Sequence, residues 1–260
     1  MAKAIFITGG GSGIGQAVAR LFGARGWFVG LADIDKAGIE ATAAMLPAGM
    51  SSIHVMDVRD RSAWAGALAD FAKASGGRLD LMFNNAGIAV GGPLAENSDT
   101  DVDRIIAINL VGVINGARAA YPYLKATPGS CLVNTASAAA IYGSAGMSLY
   151  AAVKFAVRGF SEALDAEWAP EGIKVRVLMP SFIDTPLLDS VAAGSNRSAR
   201  ETVRAAGLEF TPLDVVAEAV WDAPQRDKVH VLVGKTARRL AFAQRWMPGA
   251  LRKQMRKRFG

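Results

Sequence analysis

Short apolar runs alternate with longer amphipathic stretches along the chain. The runs at 4–8, 28–32, 52–56, 79–83, 131–135, 174–179 and 229–233 are mostly continuously apolar rather than alternating. That pattern predicts strands of a parallel sheet, which is buried on both faces and has no polar side to show. Between them, residues 15–25, 37–46, 61–75, 101–125, 148–169 and 212–223 read as helices. Repeated strand–helix alternation predicts a doubly wound α/β fold, a parallel sheet of about seven strands with helices on both faces. No repeat, Pro-rich linker or low-complexity stretch marks a boundary inside residues 1–234, which read as one domain. Residues 185–209, rich in Ala, Ser and Arg, have the weakest pattern and read as a mobile helical insertion after the sixth strand.

Composition narrows the class. With 51% hydrophobic and 20% charged residues the chain suits a compact globule and not a disordered segment. The single cysteine, Cys131, excludes an intramolecular disulfide and a cysteine-based zinc site, and His54 and His230 are too few for a His-rich metal site, so no metal is expected. Both histidines read as strand-surface residues and Cys131 as a small buried one. A reducing, cytoplasmic compartment is the simplest expectation. No secretory segment is expected, and no uninterrupted apolar run approaches the ~20 residues of a membrane span. The net charge of +6 is unevenly placed. Residues 235–260 hold nine of the 29 basic residues and no Asp or Glu, leaving 20 basic and 23 acidic residues in the body. The basicity therefore belongs to a C-terminal extension, and no nucleic-acid binding is expected of the domain.

The first strand runs into Thr8-Gly9-Gly10-Gly11-Ser12-Gly13-Ile14-Gly15. Glycines let the backbone turn sharply and approach a pyrophosphate, and the helix that follows presents free amides to it. A strand, a glycine loop and a helix in this order point to a Rossmann-type dinucleotide site, with Gly9, Gly11, Ser12, Gly13, Ile14 and Gly15 as its phosphate cradle. Asp33 ends the second strand, eighteen residues after Gly15. A carboxylate there accepts ribose hydroxyls and repels a 2′-phosphate; with Ile34 beside it and no Arg or Lys in the loop, the cofactor expected is NAD. The alternative is that Asp33 caps the next helix, in competition with Asp35. Asp57 and Val58, after the third strand, are candidates to sit against the adenine.

Four further features carry chemistry. Asn84-Asn85-Ala86-Gly87 follows the fourth strand, Asn109 lies within a long helix, Ser137 follows the fifth strand, and Tyr150 and Lys154 are four residues apart. Residues at that spacing share a helical face. Oxidising an alcohol requires removal of a hydroxyl proton as hydride leaves the carbon. A free tyrosine has a pKa near ~10 and is a poor base at neutral pH, but a nearby ammonium favours the phenolate. Tyr150 then serves as general base in oxidation and general acid in reduction, and Ser137 stabilises charge on the substrate oxygen.

These motifs, in this order over about residues 5–233, resemble the short-chain dehydrogenase/reductase family in its compact, single-domain form. The Thr8–Gly15 loop, Asn84–Gly87, Ile108-Asn109-Leu110-Val111-Gly112, Ser137 thirteen residues before Tyr150, and Tyr150-xxx-Lys154 carry the likeness. The resemblance implies an alcohol–carbonyl oxidoreductase. Lys154 would also bind the nicotinamide ribose and Asn109 would hold a water of a proton relay. Asn85, Ala86 and Gly87 would line the adenosine side. Pro180, Ile183 and Thr185 would lie at the nicotinamide, with Thr185 on its carboxamide. Here Ser181 stands where the family usually has glycine, which leaves the local backbone path open. The resemblance also implies a homodimer or homotetramer built through the helices at 101–125 and 148–169.

Ile88, Val90, Ala139, Tyr142, Met147, Phe182, Leu187 and Leu188 are the expected substrate walls, alongside Ser137. None carries a formal charge, so a lipophilic or aromatic secondary alcohol or ketone is expected; the alternative is that several are core or subunit contacts. In residues 235–260, Leu240, Phe242, Trp246, Met247, Leu251, Met255 and Phe259 are interleaved with arginines and lysines, and Pro248-Gly249 divides the segment into two short helices. It reads either as an interfacial anchor on anionic lipid or as an arm packed on its own subunit or a partner. Two other functions fit the fold: a non-catalytic NAD-binding sensor or scaffold, and a nicotinamide chemistry such as epimerisation. The intact Asn109, Ser137, Tyr150 and Lys154 favour catalysis.

Overall fold

The computed structural model describes residues 2–189, 198–205 and 207–257. Seven strands form one sheet: β1 Ala4–Thr8, β2 Phe28–Asp33, β3 Ser51–Val55, β4 Leu81–Asn84, β5 Cys131–Thr135, β6 Lys174–Pro180 and β7 His230–Val233. Their order is β3-β2-β1-β4-β5-β6-β7, every pairing parallel. The side-chain period of two is plain in β1. Ile5 and Ile7 face one core, with Val18 and Phe22 of helix α1 (Gly13–Ala24) and Val216 and Val220 of helix α8 (Leu213–Asp222). Ala4 and Phe6 face the other, with Trp64, Leu68 and Phe71 of helix α3 (Arg61–Ala74). Both faces are covered, which is why the strand sequences read as unbroken apolar runs.

The remaining helices are α2 (Lys36–Ala43), α4 (Asp99–Ile106), α5 (Gly112–Lys125), α6 (Ser148–Trp168), α7 (Ala199–Ala205), α9 (Lys235–Trp246) and α10 (Pro248–Lys257). Between α4 and α5 the chain stays helical but widens to a π turn at Ala107–Val111. Residues 99–125 are thus one rod, long and apolar enough by length and composition to cross a membrane. Its buried side carries Val113, Ala117, Ala120 and Leu124 in the cores. The insertion expected at 185–209 holds a 3-10 turn, Pro186–Asp189, and α7; residues 190–197 and 206 lie outside the described residues. Pro248 opens α10 directly after α9, as expected, while Phe259 lies outside the described residues.

The strand order reverses between β1 and β4. Crossovers from β1 run towards β3, and those from β4 towards β7, so a crevice opens beyond the carboxyl ends of β1 and β4, where ligands of open α/β sheets bind. Cys131 is fully buried in β5, and burial pushes its thiol up to about 12, which leaves it inert at neutral pH. His54 bonds Ser52 at 2.9 Å, and burial pushes its pKa down; His230 meets Glu162 at 2.6 Å on the surface.

Candidate active site

The loops after β1 and β4 are stitched together by Thr8, the first residue of the glycine motif, to which the sequence assigned no role of its own. Thr8 Oγ1 accepts from the amides of Asn85 at 2.9 Å and Ala86 at 3.1 Å, and Asn85 Nδ2 donates to the Thr8 carbonyl at 3.1 Å. The glycine loop then leaves β1 with Gly9 at φ +67° and Gly13 at φ +52°, angles that favour glycine. A Cβ at Gly15 would overlap the Gly9 carbonyl oxygen, and one at Gly13 would lie 3.2 Å from Thr185 Cγ2. Ser12 is the N-cap of α1 in extended backbone, and its side chain caps no amide. The first turn of α1 therefore presents N–H groups and the positive end of its dipole to the crevice, the arrangement an anionic diphosphate needs.

Asp33 stands against this loop. Its Oδ2 accepts from the Gly11 amide at 3.0 Å and its Oδ1 from the Asp35 amide at 3.1 Å. Asp35, not Asp33, occupies the N-cap of α2, so the capping alternative fails on position. Ile34 beside it is 72% exposed, open for contact with a flat ring. Asp57 and Val58 follow β3, the strand next to β2. Arg59 grips Asp57 at 2.6–3.0 Å and holds its carboxyl below the usual range, while the Val58 side chain is buried against Gly112. The carbonyl of Val58 accepts from Trp64 Nε1 at 2.9 Å and Asn115 Nδ2 at 3.2 Å. Asp57 is thus held by Arg59 with its side chain still about one-third exposed, and Val58 is held by the packing of α5.

The second half of the site lies beyond β4 and β5. Ser137 follows β5 in extended backbone, and its Oγ accepts from the Ala139 amide at 3.1 Å. The same hydroxyl lies beside Tyr150, in the first turn of α6, near enough to pull the phenol's pKa down. Lys154, one turn on and only 4% exposed, donates from Nζ to the Thr135 carbonyl at 2.9 Å and lies 5.6 Å from the centre of the Tyr150 ring. Asn109, in the π turn, is fully buried. Its Oδ1 accepts from the Ile88 amide and its Nδ2 donates to the Ile88 carbonyl, both at 2.8 Å. A Cβ at Gly87 would sit 3.2 Å from Asn109 Oδ1 and 3.7 Å from Lys154 Nζ, so glycine there keeps open the space between the two polar groups. Asn109, Ser137, Tyr150 and Lys154, scattered over 46 residues of sequence, meet at one end of the sheet because β4, β5 and α6 pack side by side.

The electrostatics differ from the expectation that the Lys154 ammonium lowers the Tyr150 pKa. Burial pushes Tyr150 above its ordinary value, against the opposing pull of the Ser137 hydroxyl. Burial also pushes Lys154 down, to about 8. The cause is shared: burial strips water from both side chains and penalises both charged forms. At neutral pH the phenol is protonated and the lysine still carries its charge.

The expected substrate walls lie on the same side. Ile88, Val90, Ala139, Tyr142, Met147, Phe182 and Leu188 are half-buried and Leu187 is exposed. Pro180 ends β6. The Ile183 side chain is buried in the cluster that holds Leu178 and Val216, and its backbone is bridged to Thr211. Thr185 is buried, and Arg200 of α7 clasps its neighbourhood. The guanidinium pairs with Asp184, with Asp189 at 2.8 Å, and with the Thr185 carbonyl at 2.9 Å. Nothing in the local sequence marks Arg200, since it acts across fifteen residues. The backbone question at Ser181 is answered by Gly234. Ser181 Oγ bonds Thr211 Oγ1 at 3.3 Å and faces Gly234, whose φ of +91° and missing Cβ leave the room that serine takes up. Among the described residues no cluster of His, Cys, Asp or Glu can hold a metal ion.

The glycine cradle, the free helix amides and the carboxylate at the second strand fit a nicotinamide dinucleotide. Known proteins agree with this geometry. A family profile for short chain dehydrogenase matches residues 3–196. Meso-2,3-butanediol dehydrogenase of Serratia marcescens is 37% identical over 183 residues, 70% of this chain and 72% of that one. D-threitol dehydrogenase of Mycolicibacterium smegmatis is 34% identical over 222 residues, 84% of this chain and 85% of that one. The solved structure of a Burkholderia phymatum short chain dehydrogenase/reductase in complex with NAD superposes with a TM-score of 0.84 at 27% identity, covering 97% of this chain and 95% of that one. With a seven-stranded doubly wound sheet, a nucleotide crevice at its switch point and a profile match over most of its length, this chain belongs to the short-chain dehydrogenase/reductase family of oxidoreductases.

Proposed function

We propose that the chain is an NAD(H)-dependent dehydrogenase/reductase that interconverts an alcohol and a ketone or aldehyde, with Tyr150 as general acid and base. The observation that carries it is Tyr150 set between Ser137 and buried Lys154, whose ammonium lies 5.6 Å from its ring, at the sheet end that also holds the glycine cradle. Bound nicotinamide supplies the hydride acceptor or donor. The chain's own residues do the rest. Ser137 orients the substrate oxygen, Tyr150 takes or gives its proton, and Lys154 and Asn109 hold the path by which that proton reaches solvent. Asp33, fixed on the Gly11 amide, favours NAD over NADP, because a 2′-phosphate there meets a carboxylate.

The substrate class proposed is a lipophilic or aromatic secondary alcohol, from the uncharged walls Val90, Met147, Phe182 and Leu188. Two of the relatives are named for hydroxyl-rich substrates, butanediol and threitol. That supports alcohol oxidation and makes diols the natural competitor class. The reading includes a cytoplasmic setting and a second copy of the chain as partner, through the faces of α5 and α6. The test is NADH formation across apolar secondary alcohols, 2,3-butanediol and D-threitol, with Tyr150→Phe as control. Turnover lost in the variant supports the assignment, and a preference for apolar substrates supports the class. Turnover that survives the substitution removes Tyr150 from the mechanism; NADH binding without turnover on any substrate favours a sensor or scaffold.

A further inference from the structure

The 235–257 segment lies outside the hydride site, and its helices face two ways. On α9, Ala237 is fully buried, and Leu240 and Ala241 pack with it against the cluster that holds Ala138, Ile141 and Met179. On α10, Leu251 is buried, and the two helices pack on each other. The outward face of α9 is both apolar and basic. Phe242 and Trp246 are 60% and 65% exposed, and Met247 beside them is 51% exposed. Four residues apart, Phe242 and Trp246 form one stripe. Arg238, Arg239 and Arg245, all exposed and three or four residues from Phe242, flank it, and the Arg245 guanidinium lies 5.3 Å from the Trp246 ring centre. On α10, Gly249, Arg252, Lys253 and Arg256 share one open face of the helix. From Lys235 onward the sequence has no acidic residue to neutralise these cations.

Large apolar side chains held in water at this exposure forgo most of the gain that burial would give them. A second copy of this face would bring the same cations against one another. A nucleic acid would match the charge but offers no apolar phase to take Phe242, Trp246 and Met247 together. An anionic bilayer offers both, a negative surface and an apolar layer a few ångströms below it. We propose that the α9–α10 face docks on an anionic membrane surface. Phe242, Trp246 and Met247 enter the headgroup–acyl boundary, the α9 arginines lie on lipid phosphates, and the α10 cations add to the attraction. The site of hydride transfer then works at a surface where lipophilic alcohols accumulate, although docking itself does not depend on that substrate class.

The full chain is sedimented with vesicles of phosphatidylcholine alone and with about one-third phosphatidylglycerol. The expected result is recovery with the anionic vesicles only, and release at about 0.5 M salt. Each cation near the surface is worth about fivefold in partition, so Arg238→Gln, Arg239→Gln and Arg245→Gln together lower it by roughly 100-fold. Phe242→Ser with Trp246→Ser lowers it at least about tenfold, with the urea midpoint unchanged. Brominated acyl chains quench tryptophan emission in the unaltered chain, and the quenching is lost in Trp246→Phe. Equal recovery with neutral vesicles, no recovery with anionic ones, or unquenched Trp246 overturns the proposal. So does tighter binding to single-stranded RNA than to vesicles, or a dimer that dissociates in the Phe242/Trp246 variant while vesicle binding is absent.

Discussion

Lys154 is a lysine held in a protein interior, and its cost can be measured without any substrate. It is 4% exposed, and burial pushes its pKa from the ordinary 10.5 to about 8. Between those two values the unfolded chain binds the proton and the folded chain does not. Stability therefore rises with pH across that window, and the full penalty applies below it. At 1.36 kcal/mol per unit the penalty is about 3 kcal/mol, of which about 2 kcal/mol is relieved between about pH 7 and about pH 9.5. Lys154→Met keeps the bulk and removes the titration. It also leaves the Thr135 carbonyl without its 2.9 Å partner, at about 1 kcal/mol independent of pH. Unfolding free energies from urea titrations of both proteins, without cofactor, give the difference at each pH, so other titrating groups cancel. Tyr150, pushed upward by burial, stays protonated over this range. Unaltered protein gains about 2 kcal/mol on the variant as pH rises. A difference that stays flat within about 0.5 kcal/mol would refute the view that burial governs this ammonium.

Three further outcomes follow from the geometry. Gly234→Ala forces a side chain onto a φ of +91° and into Ser181 Oγ and Thr211 Oγ1. It costs about 2–3 kcal/mol in chemical denaturation, and adding Ser181→Gly recovers only the contact part, because the backbone strain remains. Asn109→Ala strips the Ile88 backbone of two 2.8 Å hydrogen bonds, so the chain loses about 2 kcal/mol. Turnover falls with it, and a thermal melt unchanged from the unaltered protein would contradict this. Asp33→Ser removes the carboxylate set on the Gly11 amide, and the NAD-to-NADP ratio of kcat/KM falls at least about tenfold; an unmoved ratio removes Asp33 from cofactor choice.

The alternation of apolar runs and amphipathic stretches specified the architecture, because strand and helix periods are local and burial on both faces leaves its mark on each strand separately. The glycine loop, Asp33, and Tyr150 with Lys154 were legible for the same reason: each is a short spacing with a direct geometric consequence. For Asp57 and Val58 only the fold reveals the surroundings, Arg59 on one side chain and Gly112 against the other. How Lys154 and Tyr150 hold their protons also depends on burial, which pushes the two in opposite directions and exists only in the packed fold. Ser181 is tolerated because β6 and β7 are neighbours, which brings Gly234 opposite it across 53 residues of sequence. Arg200 reaches Thr185 and Asp189 only because α7 folds back over that turn. Local spacing thus fixed which groups are present. Their protonation, orientation and room depend on desolvation and contact with residues far along the chain, and only the packed tertiary structure determines those.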